Sequence, residues 1–97
     1  MTALDATSPE IVAMLQNGWT LNDAQTAIDK EFKFPSFVAA FGWMTQCAIW
    51  AEKLNHHPEW FNVYNRVRVV LTTHDTGGLS DLDVKLAQKM DQLALVC

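Results

Sequence analysis

Three histidines, His56, His57 and His74, are the only histidines of the chain, and two of them are adjacent. Imidazole titrates near neutrality, so a cluster of imidazoles is suited to giving and taking protons. Pro58 follows His57, and a residue that precedes proline is pushed out of the helical conformation. The pattern predicts a helix end at which two neighbouring imidazoles point in different directions, forming a general acid–base site.

Glu52 lies four residues before His56 on the same face of the predicted helix, so we expect its carboxylate to orient the His56 imidazole. The partial negative charge at a helix C-terminus favours the imidazolium form of both adjacent histidines. His74 is predicted to end a strand and to enter a glycine-containing loop, which is a usual place for functional side chains.

Two alternatives stay open for these residues. The histidines could be surface residues, with His57 serving the helix end, or all three could bind zinc. Adjacent residues on a helix do not converge on one metal, whereas a four-residue separation does, so acid–base chemistry is favoured and no metal is expected. Asp83 is the fourth residue of a predicted acidic capping box that begins at Ser80, so helix capping is the simpler interpretation of that carboxylate.

The elements that position these side chains follow from the hydrophobic pattern. Apolar residues three and four apart predict a short first helix, a long central helix with Phe37, Phe41 and Met44 in its core stripe, and a final helix after the capping box. Alternating residues predict strands. The predicted helices begin at residues 9, 36 and 81, and the predicted strands cover 19–21, 24–34, 59–64 and 67–73.

Composition excludes several classes of protein. A chain of 97 residues, 49% of them hydrophobic, predicts one folded domain over residues 1–97. The net charge of −4 and the scattered basic residues argue against direct nucleic-acid binding. Cys47 and Cys97 form neither a disulfide framework nor a metal motif, and Cys47 is expected to be buried. No signal peptide and no membrane-spanning run is recognisable, so the predicted location is the cytoplasm.

These residues also match a known family in type and spacing. The family pattern begins with an acidic residue, followed after three positions by His-His-Pro. An aromatic residue, a further histidine and an aspartate come next. In this chain the matching residues are Glu52, His56, His57, Pro58, Tyr64, His74 and Asp83. In this pattern, and in the upstream segments 32–34 and 40–44, the chain resembles the pterin-4a-carbinolamine dehydratases. The resemblance covers nearly everything from Trp19 onward.

The resemblance implies an α+β fold, in which a four-stranded antiparallel sheet carries three helices packed on one face. It implies that a small pterin substrate, 4a-hydroxytetrahydropterin, is dehydrated to quinonoid dihydropterin, which recycles the tetrahydrobiopterin cofactor of aromatic amino-acid hydroxylases. General acid–base catalysis suffices for this reaction, so no cofactor is expected.

The resemblance also implies roles for individual residues. His56 and His74 would be alternate general acids for the two faces of the substrate, and His57 would bind and polarise the pterin. Glu52 would orient the histidine cluster, which completes the expected catalytic set. The other expected substrate-binding residues are Trp19, which would flank the pocket, Thr72, Thr73 and Asp83.

A binding module is the competing class of function. Animal members of the family also act as dimerisation cofactors for a homeodomain transcription factor, through a helical surface. The intact histidine triad favours the enzyme, because a protein that only binds partners would not need it. The resemblance implies a homodimer or homotetramer, and the strand over 67–73 is expected to extend the sheet across a two-fold axis.

Overall fold

The computed structural model describes all 97 residues and shows an α+β architecture, as predicted. Four antiparallel strands form the main sheet in the order β2-β3-β5-β4, and a separate two-stranded ribbon pairs β1 with β6. The helices are α1 (Pro9–Gln16), α2 (Phe37–Leu54) and α3 (Asp81–Ala94). The strands are β1 (Ala3–Leu4), β2 (Thr20–Leu21), β3 (Ile28–Lys33), β4 (Glu59–Val63), β5 (Arg66–Leu71) and β6 (Leu79–Ser80).

One face of the sheet is covered by the three helices. Along β5 the side chains of Val67, Val69 and Leu71 are fully buried, whereas Arg66 and Arg68 lie on the exposed face. This alternation is what a half-buried strand requires, because successive side chains point to opposite faces. The apolar side chains of all three helices join these strand residues in one hydrophobic core.

Strand β5 is internal, so the expectation that it extends the sheet across a two-fold axis is wrong. It pairs with β3 on one side, from Ile28↔Leu71 to Lys33↔Arg66, and with β4 on the other. The edges of the sheet are β2 and β4, and β4 is the longer edge. The apolar content of a strand indicates how deeply it is buried and not where it lies in the sheet. For this reason the sequence pattern did not show that β5 is an internal strand.

Helix α2 begins and ends where the sequence predicts, but the two phenylalanines expected in its buried stripe are largely exposed. Ser36 caps the helix by accepting a hydrogen bond from the Ala39 N–H, and Asn55 ends it in the left-handed conformation with φ of 50°. The buried residues are Ala40, Trp43, Cys47 and Ala51. Phe37 and Phe41 are 48% and 56% exposed, so their expected place in the core is wrong.

The start of β3 differs from the prediction, whereas the start of α3 agrees with it. β3 begins at Ile28 rather than 24, because the Asn22 side chain accepts hydrogen bonds from the Thr26 and Ala27 N–H groups and closes a loop. The capping box at the start of α3 is confirmed. Ser80 belongs to it and also to the β1–β6 ribbon, so this helix start is held by the N-terminal strand.

Candidate active site

The three histidines border one polar cleft of about 260 Å³. The cleft lies where the end of α2 approaches the segment after β5, and no hydrophobic residue lines it. Residues from two distant parts of the chain are therefore brought together as the sequence predicted. The lining residues are Asn55, His56, His57, Thr72, Thr73, His74 and Asp75.

The end of α2 sends the two adjacent imidazoles in different directions. The left-handed Asn55 turns the chain, and the His56 N–H still reaches back to the Ala51 carbonyl at 3.0 Å. His56 points inward and is 9% exposed, whereas the side chain of His57 is 57% exposed. The divergence predicted from Pro58 is thus present, and the two rings have different surroundings.

The His56 imidazole contacts a buried carboxylate. Its Nε2 lies 2.6 Å from Oδ1 of Asp83, which is fully buried. The other Asp83 oxygen, Oδ2, accepts hydrogen bonds from the Thr73 hydroxyl at 2.8 Å and from the Ser80 N–H at 2.9 Å. The Thr73 and Ser80 hydroxyls are also 2.7 Å apart. A closed network thus joins the imidazole to the start of α3.

Glu52 orients His57 and not His56, so the predicted pairing is wrong. Its Oε1 lies 2.6 Å from Nε2 of His57. The left-handed turn at Asn55 removes His56 from the helix face that carries Glu52 and brings His57 over it. Both partners are exposed, so this contact orients the ring without contributing much to stability.

The His74 side chain lines the cleft without a partner in the chain. It begins a 3₁₀ turn over His74–Thr76, its side chain is exposed, and it makes no side-chain hydrogen bond within the chain. The turn is closed by the pairing of Thr73 with Gly78. His74 also lines an adjoining groove of about 420 Å³, together with Glu59, so this imidazole borders two hollows.

The residues expected to bind substrate lie in three different situations. Thr72 lines the cleft, but its hydroxyl donates to the Thr26 carbonyl at 2.7 Å and ties down the 22–27 loop. The hydroxyl of Thr73 and the carboxylate of Asp83 belong to the buried network, so Asp83 lies beneath the cleft and not in it. Trp19 is 2% exposed and donates from Nε1 to Asp91, away from the cleft that it was expected to flank.

Ser80 is the member of the site that sequence reasoning missed. Its pattern with Asp83 was visible as a capping box, which describes only the local half of its role. The other half depends on residues far along the chain, Thr73 and His56, and no spacing rule connects these with Ser80.

The structure also bears on two other classes of site. No three His, Cys, Asp or Glu side chains lie close enough to hold a metal ion together. None of the helices combines the length and the apolar character needed to cross a membrane.

Fold and cleft together describe a small α+β domain with a polar cleft lined by three histidines, and comparison with known proteins gives the family. The family model for pterin 4 alpha carbinolamine dehydratase matches residues 5–93. A Rhizobium johnstonii protein named "Putative pterin-4-alpha-carbinolamine dehydratase" is 58% identical over 94 residues, covering 97% of this chain and 93% of that protein. A Roseobacter denitrificans protein of the same name is 62% identical over 86 residues, covering 89% of this chain and 88% of its own.

Solved structures agree with this result. A transcriptional coactivator/pterin dehydratase from Brucella melitensis superposes with a TM-score of 0.84 at 48% identity, over 94% of this chain and 99% of that one. A pterin dehydratase-like RuBisCO assembly factor of the α-carboxysome superposes with a TM-score of 0.70 at 20% identity, over 79% of this chain and 89% of that one. At this identity the likeness shows the fold alone. The chain belongs to the pterin-4a-carbinolamine dehydratase family, which confirms the resemblance drawn from its motifs.

Proposed function

We propose that this protein dehydrates 4a-hydroxytetrahydropterin to quinonoid dihydropterin, as a cytoplasmic hydro-lyase in tetrahydropterin recycling. In this reaction the C4a–O bond breaks and the hydroxyl leaves as water after receiving a proton. The N5–H proton is removed, and its electron pair forms the N5=C4a double bond. One acid and one base are needed, and neither a metal nor an organic cofactor takes part.

The observation that carries the proposal is the pair of imidazoles that His56 and His74 present to one cleft. They come from separate parts of the chain, one from the end of α2 and one from the turn after β5. A planar pterin between them would have one imidazole near each face, so each ring could protonate a hydroxyl that leaves toward its side. Positioned acid or base catalysis of this kind contributes about 10² to 10⁴ in rate.

His57 and Glu52 have a different part in the proposal. The exposed His57 imidazole, held by the Glu52 carboxylate, would bind and polarise the pterin ring rather than transfer the proton. Thr72 would shape the cleft through its bond to the 22–27 loop. Trp19 takes no part in this version of the site, because it is buried elsewhere.

The test uses each stereoisomer of the 4a-hydroxy substrate with the variants His56→Ala and His74→Ala. We expect each variant to lose at least about tenfold in turnover toward one stereoisomer, because the acid for that face is missing. Each should keep its activity toward the other stereoisomer. Decay of the 4a-hydroxy absorbance in a stopped-flow instrument measures both rates. Equal losses toward both stereoisomers would contradict the division of labour between the two faces.

A binding role is a second candidate, favoured by an apolar surface on the outer face of α2. Phe37, Val38, Phe41 and Ile49 are between 48% and 80% exposed there, and large apolar surface patches mark interaction sites.

We propose that this face and the β4 edge are used in a homodimer or homotetramer. Light scattering at micromolar concentration should give the mass of two or four chains, and a monomer would contradict the proposal.

A further inference from the structure

The two ring nitrogens of His56 have different surroundings. Nε2 faces Oδ1 of the buried Asp83 at 2.6 Å. Nδ1 has no hydrogen-bond partner in the chain. Since no fully buried polar side-chain atom lacks a partner, Nδ1 reaches the surface of the cleft that His56 lines. Only one nitrogen of this imidazole is therefore available to a substrate.

The other partners of Asp83 decide which nitrogen carries the hydrogen. Oδ2 receives the Ser80 backbone N–H, which can only donate, and the Thr73 hydroxyl. These two donors hold Oδ2 as an acceptor, and Oδ1 is left facing His56. An ionised carboxylate has no hydrogen to give, so the ring nitrogen must donate to it. Neutral His56 then has its hydrogen on Nε2 and a free lone pair on Nδ1.

We infer that Asp83 is a positioning residue that holds neutral His56 in the Nε2–H tautomer, which makes Nδ1 the atom that exchanges protons with the substrate. The imidazolium gives its Nδ1 proton to the leaving hydroxyl, releasing water and regenerating the neutral Nε2–H ring. This step in the reaction rests on the proposed function, whereas the tautomer does not. Asp83 itself does not touch the pterin, because its side chain is completely buried.

The variant Asp83→Asn reverses the tautomer if this account is right. The Ser80 and Thr73 donors would keep the oxygen of the introduced amide at the Oδ2 position, which places the amide NH₂ group opposite Nε2. Because that NH₂ group donates, Nε2 must become the acceptor and the hydrogen must move to Nδ1. In Ser-His-Asp triads the same change leaves the geometry intact and lowers kcat by about 10⁴ through the wrong tautomer. Here we expect kcat toward the stereoisomer that depends on His56 to fall by at least about tenfold and by no more than in His56→Ala, with KM changed less.

Two-bond ¹H–¹⁵N correlation spectra, recorded at a pH at which imidazoles are neutral, report the tautomer directly. The wild-type protein should show His56 protonated at Nε2, and Asp83→Asn should show it protonated at Nδ1. Thr73→Val is the matched control, because it disturbs the buried network but leaves the Asp83 carboxylate, so the Nε2–H tautomer should remain. A wild-type ring protonated at Nδ1, or an Asp83→Asn ring unchanged at Nε2, would overturn the inference.

The spectra also separate this inference from the proposed function. If the tautomers are as expected but His56→Ala dehydrates the pterin at the wild-type rate, the positioning by Asp83 stands and the catalytic proposal fails. If His56→Ala is slow but the wild-type ring is protonated at Nδ1, the catalytic proposal stands and the role of Asp83 fails. The wild-type spectrum needs no variant, so a misfolded Asp83→Asn would not remove the test.

Discussion

Two carboxylates of helix α3, those of Asp83 and Asp91, pair with a basic residue from another part of the chain, and they illustrate two different uses of one pairing. Asp91, near its C-terminal end, accepts from Lys30 at 2.8 Å through Oδ1, and from Asn17 and Trp19 through Oδ2. Asp83, in its first turn, likewise has both oxygens occupied. In both clusters the carboxylate is satisfied by the protein.

The difference lies in the base. The Lys30 ammonium donates to Asp91 and to the Asn17 carbonyl, and it lies over the ring of Phe32, 5.0 Å from its centroid. These contacts join α1, β3 and α3. His56, in contrast, uses one nitrogen for Asp83 and keeps the other for the cleft. Lys30 also lines a groove, but its ammonium can only donate, whereas an imidazole can give and take a proton at its free nitrogen. Burial, pairing and a neighbouring groove therefore do not distinguish the two cases, and the chemistry of the base does.

Replacing each of the two aspartates by asparagine tests the difference between the two clusters most strongly. Asp91→Asn should leave turnover unchanged but lower the free energy of unfolding by about 2 kcal/mol, because Lys30 would face an amide donor in place of a charged acceptor. Denaturant titration and turnover assays measure the two effects, with Asp83→Asn as the reciprocal variant that loses turnover. A large loss of turnover in Asp91→Asn would mean that the two clusters are not functionally distinct.

Replacing His57, the exposed histidine beside Glu52, should have a smaller effect on turnover and should mainly change KM. His57→Ala should raise KM about tenfold and lower kcat less than about threefold, since the ring is proposed to bind the pterin and not to transfer its proton. Glu52→Gln should change KM in the same direction by a smaller amount, because it keeps a hydrogen-bonding group beside His57. Steady-state kinetics on folded variants measure both. A loss confined to kcat in His57→Ala would assign this ring to the chemistry.

The smallest effect is expected at the cysteines, which lie outside both clusters. Burial raises the pKa of the Cys47 thiol to about 12, so its reactive thiolate is scarce at neutral pH, while Cys97 is partly exposed. A thiol reagent should modify one cysteine in the native protein and both after unfolding, without loss of turnover. Cys47→Ala should cost about 1 kcal/mol of stability through lost core volume. Protection of a thiol by the pterin would contradict this view.

Much of the fold could be predicted because its signals are local. The α2 boundaries follow from Ser36 and from the His57-Pro58 pair, and the capping box marks the start of α3. Phe37 and Phe41 were misplaced because α2 carries apolar residues on two adjacent faces, and periodicity cannot choose between them. The edge position expected for the 67–73 strand was wrong for a similar reason, since nothing in the β5 sequence shows what pairs beside it. The β1–β6 ribbon is too short to give a pattern.

The candidate site could be predicted as a set of residues but not as a set of contacts. The histidines and Glu52 were named from their types and spacing, and Asp83 was named as a site residue through the family resemblance. Their pairing was not, because one left-handed residue, Asn55, moved His56 away from Glu52. The distance of 27 residues between His56 and Asp83 is closed only by the packing of α2 against α3. Contacts of that kind come from tertiary structure, which no spacing rule contains.

The central claim is that the imidazoles of His56 and His74 carry the chemistry, and the double variant His56→Ala, His74→Ala tests it most directly. Single-turnover decay of the 4a-hydroxypterin should fall to the rate without protein, far below either single variant, while circular dichroism shows an intact fold. A chelator should not alter the wild-type rate. Decay at the wild-type rate in the folded double variant would contradict the account and leave the binding role as the better description.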